Sequence, residues 1–352
     1  MINDDVQQQK GGNQSTNVQG KSVTIQQGIS YTDAKEIALD VYKANFLELS
    51  KEAAELAITR AEELTDHFLE ELRVKKPDYL YSASNPAMQM AIFNAQKEYA
   101  RTGDKNLEDL LVDILVERAT ESERNIHQIV LDESLQIAPK LTKEQLDALT
   151  VSFLITKTRN NKLINFDYLK GFLQSHLAPF VKTLSTDSSC YAHLEYAGCG
   201  SVMHLGSLQP LENVLLHCYP GLFCKGFDKN ELEKTVGTFD SLNGVIIPCL
   251  HDKSKFQASG MDNDRISEIC EIAGIEEGVC EKLKGIQSKY RMSDKEVKIF
   301  ICSITPDLNH LFNVWNDSEL SKFHLTTVGI ALAHANFRIT TGIKLRLDTW
   351  IR

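Results

Sequence analysis

The sequence predicts a mainly α-helical protein, with a long N-terminal helix and a multi-helix domain, preceded by a short β arm and completed by a small C-terminal strand pair. Three observations lead there. Between Ser30 and Pro77 there is neither glycine nor proline, and Ile37, Val41, Leu49, Ala53, Leu56, Leu64, Phe68 and Leu72 recur at threes and fours. That is the period of a helix with one apolar face. Beyond Pro77, segment after segment carries its own cap or breaker. Ahead of Ser30, "KGGNQSTNVQGKSVTIQQG" (10–28) instead alternates with a period of two.

The arm comprises residues 1–29. Thr16 and Val18 alternate with Ser15, Asn17 and Gln19; after Gly20-Lys21, Val23 and Ile25 alternate with Ser22, Thr24 and Gln26. This reads as two short strands, each with an apolar and a polar face. A lone two-stranded unit is marginal in water, and an exposed strand edge templates pairing. The expectation is therefore oligomerisation through the arm. Asn13, Ser15, Asn17 and Gln19 would ladder between subunits, while Val18, Val23 and Ile25 form a small shared apolar face. The alternative for so Asn/Gln-rich a stretch is an unstructured tail.

Residues 30–76 are expected as one amphipathic helix of roughly 40 residues, or roughly 60 Å. Asp33 with Glu36 offers a capping-box start, with Thr32 as the other candidate cap. A helix of that length spans a large helical domain or packs against its counterpart in another subunit. Arg60 and Asn45 near the stripe depart from a strict heptad. The remainder, 77–352, is expected as a helical domain, with helices at 85–101, 106–121, 123–138, 142–158, 166–184, 190–204, 210–219, 262–273 and 276–290. Asn85-Pro86 with Gly103, and Thr142 with Gln145, are the clearest start and stop signals. "HDKSKFQASGMDND" (251–264) reads as a surface loop. "LTTVGIALAHANFR" (325–338) is apolar or small on nearly every face and reads as a buried helix. "IKLRLDTWI" (343–351) alternates and suggests a terminal strand, with "GVIIPCL" (244–250) as its expected partner.

Composition limits function. The 352 residues carry a formal net charge of −10, which argues against a general grip on nucleic-acid backbone. The polar N-terminus lacks a signal pattern, and no apolar run reaches the roughly 18 to 20 residues of a membrane span. With eight cysteines read as reduced thiols, the expected location is the cytoplasm. P-loop, Rossmann glycine, nucleophile-elbow and zincin patterns are lacking. No cofactor is expected, and no catalytic residue is assigned.

Four stretches could carry chemistry. "CYAHLEYAGCGSVMH" holds Cys190, His193, Cys199 and His204, a Cys-x2-His and Cys-x4-His set able to supply four zinc ligands. Only five residues separate the halves, and buried thiols with hydrogen-bonded histidines account for them without metal. "LLHCYPGLFCKGF" (215–227) sets His217-Cys218 and Cys224 about a Pro-Gly turn, but neighbours on a helix point apart. "SDKEVKIFICSI" offers Asp294, Glu296 and Lys298 in a loosely nuclease-like pattern; a helix start capped by Ser293 or Asp294 explains it better. His334 and Asn336 in the apolar C-terminal helix satisfy buried groups or line a small polar pocket.

The "GNQSTNVQ" arm followed by "ISYTDAKEIALDVYKANFLEL", the central "LEYAGCGS…YPGLFCKGF" and the closing "LTTVGIALAHANFR…LDTWI" together resemble the LPO/Vpar family of uncharacterised bacterial proteins. The likeness runs nearly the full length, in the same order. It implies no activity and no site residues. The arm is also similar to polar leaders on several bacterial conflict and anti-phage proteins. The expectation is thus a cytoplasmic bacterial self-assembling protein, a sensor or scaffold in anti-phage defence, with copies of itself and a phage or host protein as partners. The alternative is an enzyme or ligand-gated effector with its site in the Cys/His-rich middle, 190–227, and the 251–264 loop as a lid.

Overall fold

The segment 30–76 folds back on itself. In the computed structural model, which describes residues 30–44, 50–203, 209–237, 242 and 244–351, α1 (Tyr31–Ala44) and α2 (Lys51–Lys75) are separate helices. Ser50, at φ −59° and ψ 152°, ends the helical conformation ahead of α2. The two lie antiparallel. Tyr31 and Lys35 reach Asp66, the latter at 2.7 Å, and Tyr42 packs with Ala57 and Ala61. The uninterrupted helix expected over 30–76 is corrected accordingly. Folding back lets the stripe of α1 (Ala34, Ala38, Tyr42) bury against that of α2 (Ala61, Leu64, Phe68), where one straight rod would leave both exposed. The cap also differs from expectation: Ser30 and Asp33 bond reciprocally, each side chain accepting from the other's backbone N–H. The arm residues Asn13, Ser15, Asn17, Val18, Gln19, Val23 and Ile25 lie outside the described residues.

The middle of the chain follows its caps. α3 (Pro86–Thr102) starts at Asn85, whose side chain accepts from Ala87 N–H, and ends on the left-handed Gly103. α4 (Lys105–Arg118), α5 (Ile126–Ile137) and α6 (Lys143–Thr156) come next, α6 with the full Thr142–Gln145 capping box. α7 (Phe166–Gly171) runs on through a π turn (Phe172–Leu177) and a 3-10 turn ending at Phe180.

Three expectations after this point change. The helix expected over 190–204 is α8 (Ser188–Tyr196), followed by strand β1 (Gly200–Val202). Then come α9 (Leu211–Cys218), α10 (Lys229–Val236), β2 (Ile246–Pro248) and β3 (Phe256–Ala258). β2 pairs antiparallel with β3, Ile246 opposite Ala258, so "GVIIPCL" is taken and the 251–264 stretch contains a strand. Gln257 and Ala258 within it are fully buried. α11 (Asn263–Ile272), α12 (Glu277–Lys289), α13 (Asp294–Ile304) and α14 (Leu308–Asp317) precede β4 (Phe323–Leu325), which pairs antiparallel with β1, Gly200 opposite Leu325. α15 (Thr327–Thr341) closes the fold. The alternating 343–347 stretch is not a strand: the chain lies back along α15, His334 Nε2 meets Leu345 O at 3.0 Å, and Leu347 begins a 3-10 turn.

The described residues are mainly helical, with two small antiparallel strand pairs among them. α15 is buried continuously from Val328 to Phe337 and is enclosed by α4, α5 and α6. That large core is distinct from a second one, built by Phe227, Leu232, Val245, Ile266, Leu283 and Ile286 among others. The second core belongs to a small lobe made of α10, β2–β3, α11 and α12. No helix among the described residues is long and apolar enough to cross a membrane.

Candidate functional site

Where the small lobe meets the body, an open groove of about 550 Å³ runs between α9 and α12. Small-molecule sites are typically about 300–1,000 Å³. On the body side, Gln209, Asn213, His217 and Pro220 recur at helical spacing along one flank of α9 and its ends. On the lobe side, Lys284, Gln287, Ser288 and Arg291 do the same along α12 and just past it. Asn263, at the first position of α11, completes the rim.

Each wall is held in place. Trp315 Nε1 donates to Gln209 O at 3.0 Å, fixing the chain ahead of α9. After α9 the Pro220–Phe223 turn packs so closely on the 260–261 backbone that a Cβ on Gly221 would stand 2.7 Å from Gly260 O. Gly221 N–H donates to Met261 O, and Gln257 Nε2 to Gly221 O. These bonds pin the stretch that sequence reasoning treats as a lid. Arg291 is set by backbone bonds on either side of it, Lys225 N–H to Tyr290 O and Met292 N–H to Phe223 O, both 2.8 Å.

The groove's chemistry is one-sided. Among the described residues no Asp or Glu lines it, in a chain with 48 acidic and 38 basic residues. Lys284 bonds exposed Glu281 at 2.6 Å, a contact that raises its pKa, so its charge persists. The Arg291 guanidinium makes no ion pair among the described residues. Gln287 is 2% exposed; its Oε1 accepts from Ala258 N–H at 2.8 Å, while Nε2 is buried without a partner. A buried amide donor left unpaired costs about 1–3 kcal/mol.

The stretches singled out from sequence are distributed as follows. His217 faces this groove, whereas Cys218 lines a separate apolar cavity of about 30 Å³ among Leu154, Phe312 and neighbours, room for about one water. Cys224 is fully buried and its thiol is pushed up to about 11 by burial. The geometry therefore assembles no Cys-His pair from 217, 218 and 224. Cys190 and His193 lie on α8, where Gln145 Nε2 donates to Cys190 O and its amide meets His193 Nδ1. Cys199 lies beyond the helix end, fully buried. Burial raises both thiols, to about 11 and about 12. His204 lies outside the described residues. No group of three or more His, Cys, Asp or Glu fit for a metal occurs among the described residues. Asp294, Glu296 and Lys298 start α13: Ser293 and Glu296 form its capping box, and Lys225 pairs with Glu296 at 3.2 Å. Asn336 donates to Asp147 and Thr150 at 3.0 and 2.8 Å, so the polar atoms of that cluster satisfy one another.

Sequence reasoning did not pick out Lys284, Gln287, Ser288 and Arg291. Their i, i+3, i+4, i+7 spacing on a correctly placed helix is the signal that could have found them.

Comparison with curated proteins and with solved structures gives no match. A protein-family model described as ":-like" matches residues 28–351, nearly the whole chain, and the chain belongs to that family.

Proposed function

We propose that the protein is a ligand-gated effector whose site is the groove between α9 and α12. The observation that carries this reading is the acid-free lining, in which Arg291 and Lys284 on one wall face His217 on the other across a groove edged with amides. Amides and cations held on two separately cored units suit recognition of a small molecule, with binding drawing the lobe and body together. The test is to denature purified protein and identify co-purifying small molecules by mass spectrometry. Retention of a compound by the native chain, lost in His217→Ala and Arg291→Gln with circular dichroism unchanged, is the expected result. Equal retention by both variants would remove the groove from consideration.

Self-assembly is a second reading, favoured by the period-two pattern of Asn13 to Ile25. With the likeness of the arm to polar leaders on bacterial conflict and anti-phage proteins, it would make the chain a cytoplasmic bacterial sensor or scaffold in anti-phage defence, and the groove its trigger site. Light scattering coupled to size exclusion should give a discrete oligomer for the full chain and a smaller species without residues 1–29. A monomer at micromolar concentration would sink the assembly reading and leave the groove reading intact.

A further inference from the structure

Resting on the groove being a ligand site, we infer that its ligand is a phosphorylated, hydroxyl-rich small molecule, of the sugar-phosphate or polyol-phosphate class. The sign of charge comes first. Lys284 on α12 and Arg291 just past its end lie on the same wall, with Gln287 and Ser288 between them in sequence and His217 lining the opposite wall. A guanidinium donates two parallel hydrogen bonds to a phosphate or carboxylate, and such charge-assisted bonds are about twice as strong as neutral ones. Backbone bonds on both sides hold the main chain at Arg291 in place, so the guanidinium is presented from a fixed point on the rim.

The rest of the lining selects what the anion is attached to. Gln209, Asn213, Asn263 and Ser288 offer paired donors and acceptors, the complement of hydroxyl groups. No Phe, Tyr or Trp lines the groove among the described residues, so it offers no face on which a nucleobase would stack. The apolar share is small, mainly Leu216 and two prolines, which disfavours an acyl chain.

The experiment is calorimetric titration of the full chain with inorganic phosphate, glycerol 3-phosphate, ribose 5-phosphate and glucose 6-phosphate, each organic phosphate beside its dephosphorylated counterpart. At least one organic phosphate should bind more tightly than inorganic phosphate, while its counterpart shows no heat. Arg291→Gln should weaken binding by about tenfold or more. Arg346→Gln, an exposed arginine paired with Asp348, should leave binding unchanged. Binding of a dephosphorylated compound with the same affinity, indifferent to Arg291→Gln but lost in His217→Ala, overturns the phosphate assignment and leaves the groove as a ligand site. No binding by any phosphate at millimolar concentration overturns the assignment too. If the native chain in that case also retains no small molecule, the ligand-site reading falls with it.

Discussion

His334 lies 1% exposed in α15, its Nε2–H donating to Leu345 O at 3.0 Å. Burial, then the positive charge of Arg338, pulls its pKa down to about 4. Arg338 itself is held between Asp113, which accepts from Nε at 3.0 Å and Nη2 at 2.6 Å, and Glu117. Glu117 is pushed up by burial but pulled further down by Arg338, so it remains ionised in mildly acidic solution. An imidazole depressed in the folded state takes up its proton in the unfolded chain first, near pH 6.5. Stability is therefore complete above about pH 6.5 and lost as pH falls toward about 4, because over that window the unfolded state binds the extra proton. The full loss is on the order of 3 kcal/mol. Urea unfolding between pH 4 and 7 should show this slope, and His334→Gln should flatten it by about one proton. His176 and His251 are likewise depressed by burial and shift both proteins equally, so the difference between the two curves isolates His334. Parallel curves would mean that this imidazole titrates normally in the fold.

Two glycines in helices show what an element contributes beyond its own propensity. Gly329 in α15 faces the chain just before β1, where an added Cβ would stand 1.9 Å from Cys199 O. Gly285 in α12 has nothing within 4 Å of that position. Gly329→Ala must push α15 off the β1–β4 pair and should cost about 3 kcal/mol, at the upper end for overpacking. Gly285→Ala should gain up to about 1 kcal/mol from helix propensity alone. Opposite shifts in melting temperature are the check; a harmless Gly329→Ala would mean that the α15–β1 contact yields. The same division explains what could be read from the sequence. The starts at Asn85 and Thr142, the stop at Gly103 and a helix start at Ser293 or Asp294 depend on residues a few positions apart, and all were legible. The break ahead of α2, the pairing of Gly200 with Leu325, and the loss of the 343–347 strand to packing along α15 depend on partners far along the chain. So does the groove: His217 stood out as a histidine beside cysteines, but its counterpart Arg291 gained meaning only once α9 and α12 were side by side.

Among the described residues the two largest apolar cores are of unequal size, beside a small cluster around Tyr42, and the groove lies between the units those two cores support. The body core joins residues from α1 to Ile351, while the lobe core draws only on residues from Phe227 to Ile286. Local opening free energies follow buried apolar contact, so a small core opens before a large one. Links between the two include the backbone bridge of Cys224 with Arg291, the Lys225–Glu296 pair, the seat of Gly221 on Met261 and the Gln257–Gly221 bond. In native-state hydrogen exchange, amides of α11 and α12 should therefore exchange through a cheaper opening than those of α6 and α15. A ligand held by both walls must be released before the lobe opens, and it stabilises the closed form by RT ln(1 + [L]/Kd), about 2.7 kcal/mol at a hundredfold excess over Kd. The ligand should thus slow exchange in α12 and the lobe while leaving α15, already limited by global unfolding, nearly unchanged at modest saturation. If α12 and α15 exchange with the same free energy in the free protein, lobe and body form one cooperative unit. Gating would then have to come from side chains in the groove rather than from movement of the lobe.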